Sequence, residues 1–172
     1  MMMAIRRNKR RGNATLEFTL VGIPMIFAVI SIFELSRGMW IYDLTAAAVK
    51  AGTRYTIVHG QNCAQLPNTC TVTIGQIATQ IQAGGPGLIP ADMTVTFTDS
   101  TGTAVSETLA AALNDTTQWP PVTAYGVGQP VTISARYPFS SAISMLWPGA
   151  GPGIGPYQTV NFSASSTEQI QF

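Results

Sequence analysis

One stretch of this chain constrains its fold more than any other: residues 18–33, FTLVGIPMIFAVISIF, carry no charge and are bounded by Glu17 and Glu34. As a helix these 16 residues reach about 24 Å. A bilayer core of about 30 Å asks for roughly 20 residues. Beginning at Asn13 supplies the missing length but draws Glu17 into the apolar zone. An acidic side chain at the centre of a bilayer costs about 3 kcal/mol, less near its surface, and usually has a partner. Ahead of this run stand Arg6, Arg7, Lys9, Arg10 and Arg11, closed by Gly12.

The order of basic cluster, glycine, acidic residue and apolar run suggests how the carboxylate is partnered. A cut between Gly12 and Asn13 removes all five basic residues and gives Asn13 a free α-ammonium. Glu17 is four residues on, one turn up the same helix face. It is placed to pair with that ammonium or with that of a neighbouring subunit.

This arrangement resembles the class III-type signal of type IV pilins and pseudopilins. Over residues 10–58 it looks like the TadE-like minor pilins of the tight-adherence (Tad/Flp) system. The likeness rests on RRG-x4-EF, the apolar run, and then ELSRGMWIYDLTAAAVKAGTRY. The resemblance implies a prepilin peptidase that cuts after Gly12, and a Glu17 that helps to dock subunits. It further implies other minor and major pilins and an inner-membrane assembly platform as partners. Pro24 matches a proline in the family's helix, where it helps subunits pack in a curved or locally melted form. The bland alternative is a tolerated kink. A minor or priming role is expected, because major pilins of that system are much shorter chains.

Charge supports a membrane topology independently. The net charge of +1 conceals a +5 leader, residues 1–12, and a remainder with four basic and eight acidic side chains. The basic cluster is therefore terminal, which argues against a nucleic-acid surface. Basic residues before an apolar span mark the cytoplasmic end and place the C-terminal bulk outside. The resemblance implies the bacterial inner membrane as the location, crossed once, and an extracellular pilus as a second one. The run exceeds the apolar core of an ordinary secretory signal, and Ala46-Ala47-Ala48 is separated from it by Glu34, Arg37 and Asp43. An uncleaved signal-anchor carrying an extracytoplasmic binding module is the rival reading.

Beyond residue 33 the helical pattern persists. Phe33, Trp40, Leu44, Ala48, Ala51, Tyr55 and Val58 recur at helical spacing and predict one covered face. Glu34 and Arg37 are spaced for an i,i+3 pair. Arg37 and Arg54 are expected on a solvated face, with contact to a neighbouring subunit the alternative. Gly60 is a C-cap candidate. The layout is thus a leader at 1–12, a membrane or assembly helix at 13–33, its amphipathic continuation at 34–58, and an extracytoplasmic domain at 59–172.

Cys63 and Cys70 are expected to form a structural disulfide, since the count is even and the compartment oxidising. A metal site would lack ligands, and C-x6-C is not a redox spacing. His59 is expected to cap or follow the first helix. Val72, Ile74, Ile77, Ala78 and Ile81 predict a short helix ending at Gly84-Gly85-Pro86. Strands are predicted at 93–98, 131–137 and 159–166, the last with a possible extension over 169–172. Residues 99–102 read as a turn, 108–113 as a short helical turn, 119–128 as a loop and 138–146 as one or two helical turns. The expected fold is α+β: a long N-terminal helix packed on a small antiparallel sheet of about three strands.

Nothing here predicts an enzyme, a cofactor or a metal. Asp92, Asp99, Glu107 and Asp115 lie in or near turn sequences, and no D-x-D-x-D-G pattern supports calcium. Ser140, Ser141 and Ser144 have no base nearby in sequence. An anchored enzyme would need a polar pocket formed only in three dimensions.

Overall fold

The computed structural model describes residues 11–60, 71–141 and 159–171. The Cys63–Cys70 pairing and the stretch 142–158 lie outside the described residues. Helix α1 (Arg11–Ile57) runs 47 residues without interruption, with Pro24 inside it. Helix α2 (Ile74–Gly84) follows, then β1 (Thr94–Thr98), β2 (Ala104–Thr108), the single-turn α3 (Leu109–Ala112), a 3-10 turn (Val122–Ala124), β3 (Pro130–Phe139) and β4 (Val160–Gln169). The strands form one antiparallel sheet in the order β2-β1-β3-β4. The α+β class is as the patterns imply, with four strands in place of about three.

Local chemistry accounts for each element. Thr73 caps α2: its hydroxyl accepts from Gln76 N, and Gln76 Oε1 accepts from Thr73 N at 3.0 Å. The buried residues Ile74, Ile77, Ala78 and Ile81 form the predicted stripe. The turn after β1 is held by Asp99, whose Oδ1 accepts from Thr101 N, Thr103 N and the Thr101 hydroxyl. Gly102 closes it at φ +83°, a left-handed conformation suited to glycine. Along β1 and β3, alternation sends Val95, Phe97, Val131, Ile133, Ala135 and Tyr137 into the core. The opposite face carries Thr94, Thr96, Thr132, Ser134 and Arg136, with cross-strand bonds Thr96–Ser106 at 2.9 Å and Thr132–Thr167 at 2.8 Å.

Four expectations need correction. The first is the missed strand, β2. Its core-facing positions are Val105 and Glu107, opposite Phe97 and Val95, so a charge interrupts the apolar alternation. Second, Pro138 and Phe139 continue β3 and do not open a helix. Third, the predicted loop 119–128 holds a 3-10 turn, Val122–Ala124, and Trp119 at its start is buried, its ring edge-on to Phe97 at 5.3 Å. Fourth, the covered face of α1 is rotated from the predicted one. Phe33 and Trp40 are exposed, and the buried positions are Gly38, Thr45, Ala48, Val49, Gly52, Thr53, Thr56 and Ile57. Each buried threonine hydroxyl donates to the carbonyl four residues back: Thr45 to Ile41, Thr53 to Val49, Thr56 to Gly52. These threonines therefore pack like small apolar residues.

Strand β4 lies along α1. Gly38 is near Phe162 at one end, and Gln171 N donates to the Ile57 carbonyl at the other, 2.9 Å away. From Gly38 to Ile57 a helix rises about 28 Å. From Phe162 to Gln171 a strand covers about 30 Å. This match in length positions the sheet beside the second half of α1 and, among the described residues, leaves 14–33 without cover from the sheet.

Candidate functional site

Among the described residues, nothing outside α1 packs over its first half. Phe18 is 76%, Leu20 77% and Phe33 72% exposed. The most apolar 18-residue window of this helix has a mean hydropathy of 2.2, and none of it is buried. A core helix of a water-soluble protein would be mostly buried, and this surface is not covered by the described residues. One helix is thus long and apolar enough to cross a membrane. Three of its hydroxyls bond back to the helix: Thr19 donates to the Thr15 and Leu16 carbonyls at 3.0 Å, Ser31 to Phe27 and Ser36 to Ile32 at 2.8 Å. Such back-bonding lets a hydroxyl sit in hydrocarbon without a second partner.

Gly12 and Asn13 fall in the first turn of α1. Glu17 is exposed on the helix that follows, and among the described residues it forms no ion pair. Pro24 is exposed, and the helix continues through it. Lacking an N–H, it leaves the Leu20 carbonyl without the usual helical donor.

The apolar half meets the folded domain at Arg37. Its Nη2 lies 3.3 Å from Glu34 Oε2, the i,i+3 pair anticipated from the spacing. The same nitrogen donates to the Ser140 carbonyl, and the guanidinium sits over the Phe139 ring at 4.8 Å. Arg37 therefore ties α1 to the end of β3 and does not merely face solvent, as the sequence suggested. Beside it is an apolar groove of about 620 Å3 between α1 and the sheet end, floored by Gly38 and walled by Leu35, Met39, Tyr42, Phe139 and Phe162. Phe162 packs edge-on against Tyr42 at 6.1 Å and beside Phe139 at 5.3 Å. No motif announces this groove, because it joins residues more than 100 positions apart. The aromatic residues flanking the stretch 142–158 are the only trace of it in the sequence.

The titratable groups have structural roles. His59 follows α1, donating from Nδ1 to the Tyr55 carbonyl at 2.7 Å and stacking on the Tyr55 ring. Glu107 sits on the core side of β2, where desolvation, helped by the charge of Asp115, raises its pKa. Asp115 is held below the ordinary carboxylate value by hydrogen bonds from Thr117, whose N–H is 2.7 Å away. Among the described residues no three His, Cys, Asp or Glu side chains converge as metal ligands.

The chain matches no protein-family model, no curated protein and no solved structure.

Proposed function

We propose that this chain is a minor pilin, or pseudopilin, of a Tad/Flp-type pilus, taking part in pilus assembly, adhesion or surface attachment. The observation that carries the reading is the exposed apolar half of α1, continuous with a helix whose other half is the spine of a folded domain. A subunit that waits in a bilayer and is then withdrawn into a filament needs such a division. The basic leader holds the N-terminus in the cytoplasm of a bacterial inner membrane. A prepilin peptidase cuts after Gly12 and frees the Asn13 ammonium. Glu17 then sets the register in which the apolar helix meets its neighbours on the assembly platform or in the filament.

The test is the intact mass of the protein recovered from membranes, with and without a prepilin peptidase. A start at Asn13 that depends on the peptidase is the expected result. An intact leader in both samples would replace this reading with the uncleaved signal-anchored module.

A further inference from the structure

The groove beside Arg37 has a position and a charge pattern that point to an occupant. We infer that it holds a phospholipid of the outer leaflet, with an acyl chain against its apolar walls and an amine-bearing zwitterionic headgroup at its rim. This inference rests on the membrane reading above and adds a second lipid contact, made by the folded domain.

The membrane segment 13–33, about 31 Å long as a helix and enough to cross a bilayer core of about 30 Å, ends one turn before Arg37. The groove extends along α1 from Ser31 to Asp43, so it straddles that level. Its walls Leu35, Met39, Tyr42, Phe139, Val160 and Phe162 form an apolar surface that follows the exposed apolar residues 14–33 along the same helix. Trp40 is 66% exposed nearby, and Trp and Tyr favour the headgroup layer. The end of the sheet is therefore set at the membrane surface by the same helix that crosses it.

Charge then narrows the occupant. Two carboxylates line the groove, Glu34 and Asp43, and Arg37 stands beside it against Glu34 and the Phe139 ring. Arg37 pairs with Glu34, and among the described residues Asp43 has no ion-pair partner. A second copy of the apolar helix, residues 18–33, carries no charge to offer Asp43. A zwitterionic phospholipid brings an ammonium for Asp43 and a phosphate that the partly exposed guanidinium of Arg37 can share. The volume of about 620 Å3 falls in the range of about 300–1,000 Å3 usual for small-ligand sites.

The full chain in lipid nanodiscs, doped with phosphatidylethanolamine carrying a diazirine in its acyl chain, tests this. After photolysis, adducts are expected on residues 18–33 and also on Met39, Tyr42, Phe139, Val160 or Phe162. Gly38→Leu should lose the second set and keep the first, because a Cβ at Gly38 already stands 3.5 Å from the Phe162 ring and 3.6 Å from that of Phe139. Phosphatidylglycerol with the same diazirine should label the groove less, and Asp43→Asn should abolish that difference. Adducts confined to residues 18–33, or crosslinks from the groove to a second copy in place of lipid, would overturn the inference while sparing the membrane reading. Absence of adducts on residues 18–33 would overturn both.

Discussion

Ile81 of α2 fills the space that a side chain on Gly52 of α1 would need. A Cβ built on Gly52 would stand 2.5 Å from Ile81 Cγ1 and 3.0 Å from Ile81 Cδ1. The approach is repeated one α2 turn on, where a Cβ on Gly84 would lie 2.7 Å from the Cβ of Ala51. Alanine at 52 gains about 1 kcal/mol in helix propensity. It loses about 1–3 kcal/mol to overpacking, because Ile81 is fully buried and its Cγ1 is not a free chain end. Gly52→Ala should therefore lower the melting temperature of the full chain in detergent by a few degrees. The double variant Gly52→Ala, Ile81→Ala should be less destabilised than the two single losses together, since the new methyl occupies part of the cavity.

That contact also shows why the fold was legible in the sequence only to a certain depth. Period and punctuation gave α2, β1, most of β3 and β4, and the length of α1, because each is written in neighbouring residues. The face of α1 was misplaced because Phe33 and Trp40 dominate a count of apolar residues, while the sheet and α2 are met by Gly38, Gly52 and Thr45. A threonine that bonds its own helix cannot be told from a solvated one by its identity alone. Strand β2 stayed hidden because an edge strand with Glu107 on its inner side lacks the alternation of a core strand. The helix with Glu17 was legible as an apolar unit, but the groove was not, since Gly38, Phe139 and Phe162 meet only once β4 is laid along α1.

Replacing Arg37 should loosen the domain where it meets the helix. Its stacking on Phe139 contributes about 0.5–1 kcal/mol and its pair with Glu34 a few tenths. Arg37→Ala should cost about 1 kcal/mol and raise amide hydrogen exchange at residues 139–141 and 160–162, leaving α2 protected. Arg37→Lys keeps the charge but not the planar group, and should recover only part of that protection. Unchanged exchange at the end of β3 in Arg37→Ala would show that the contact does not hold the strand.

The raised pKa of Glu107 gives a pH dependence with a definite sign. A carboxyl whose folded pKa exceeds its unfolded one binds its proton more tightly in the folded protein. Its contribution is fully present below the unfolded value of 4.5 and is lost as pH rises through the higher folded value. Its Oε1 is buried without a hydrogen-bond partner among the described residues, so ionisation there is uncompensated. Glu107→Gln should raise the melting temperature at pH 7 and give no gain at pH 4. Asp115 acts oppositely: its pKa is lowered, so its contribution is present above the unfolded value of 3.8 and is lost as pH falls through the folded one. A gain for Glu107→Gln that is equal at both pH values would exclude titration of Glu107 as its source.

The proposed role of Glu17 separates insertion from assembly. The carboxylate is exposed on a helix whose surrounding side chains are apolar, so a bilayer or a bundle of like helices offers it no partner except an ammonium. Glu17→Gln keeps the length and removes the charge. Insertion should be retained or slightly strengthened, since less charge is placed in the apolar zone, by at most about 3 kcal/mol. Cleavage after Gly12 should continue, giving an intact mass that begins at Asn13. Incorporation into filaments, read from the sheared pilus fraction, should fall sharply, because the Asn13 ammonium of one subunit then has no carboxylate to meet on the next. Processed, membrane-held Glu17→Gln protein that still enters filaments at the level of the unaltered chain would remove Glu17 from the assembly step, and would place the register in the apolar contacts of residues 18–33 alone.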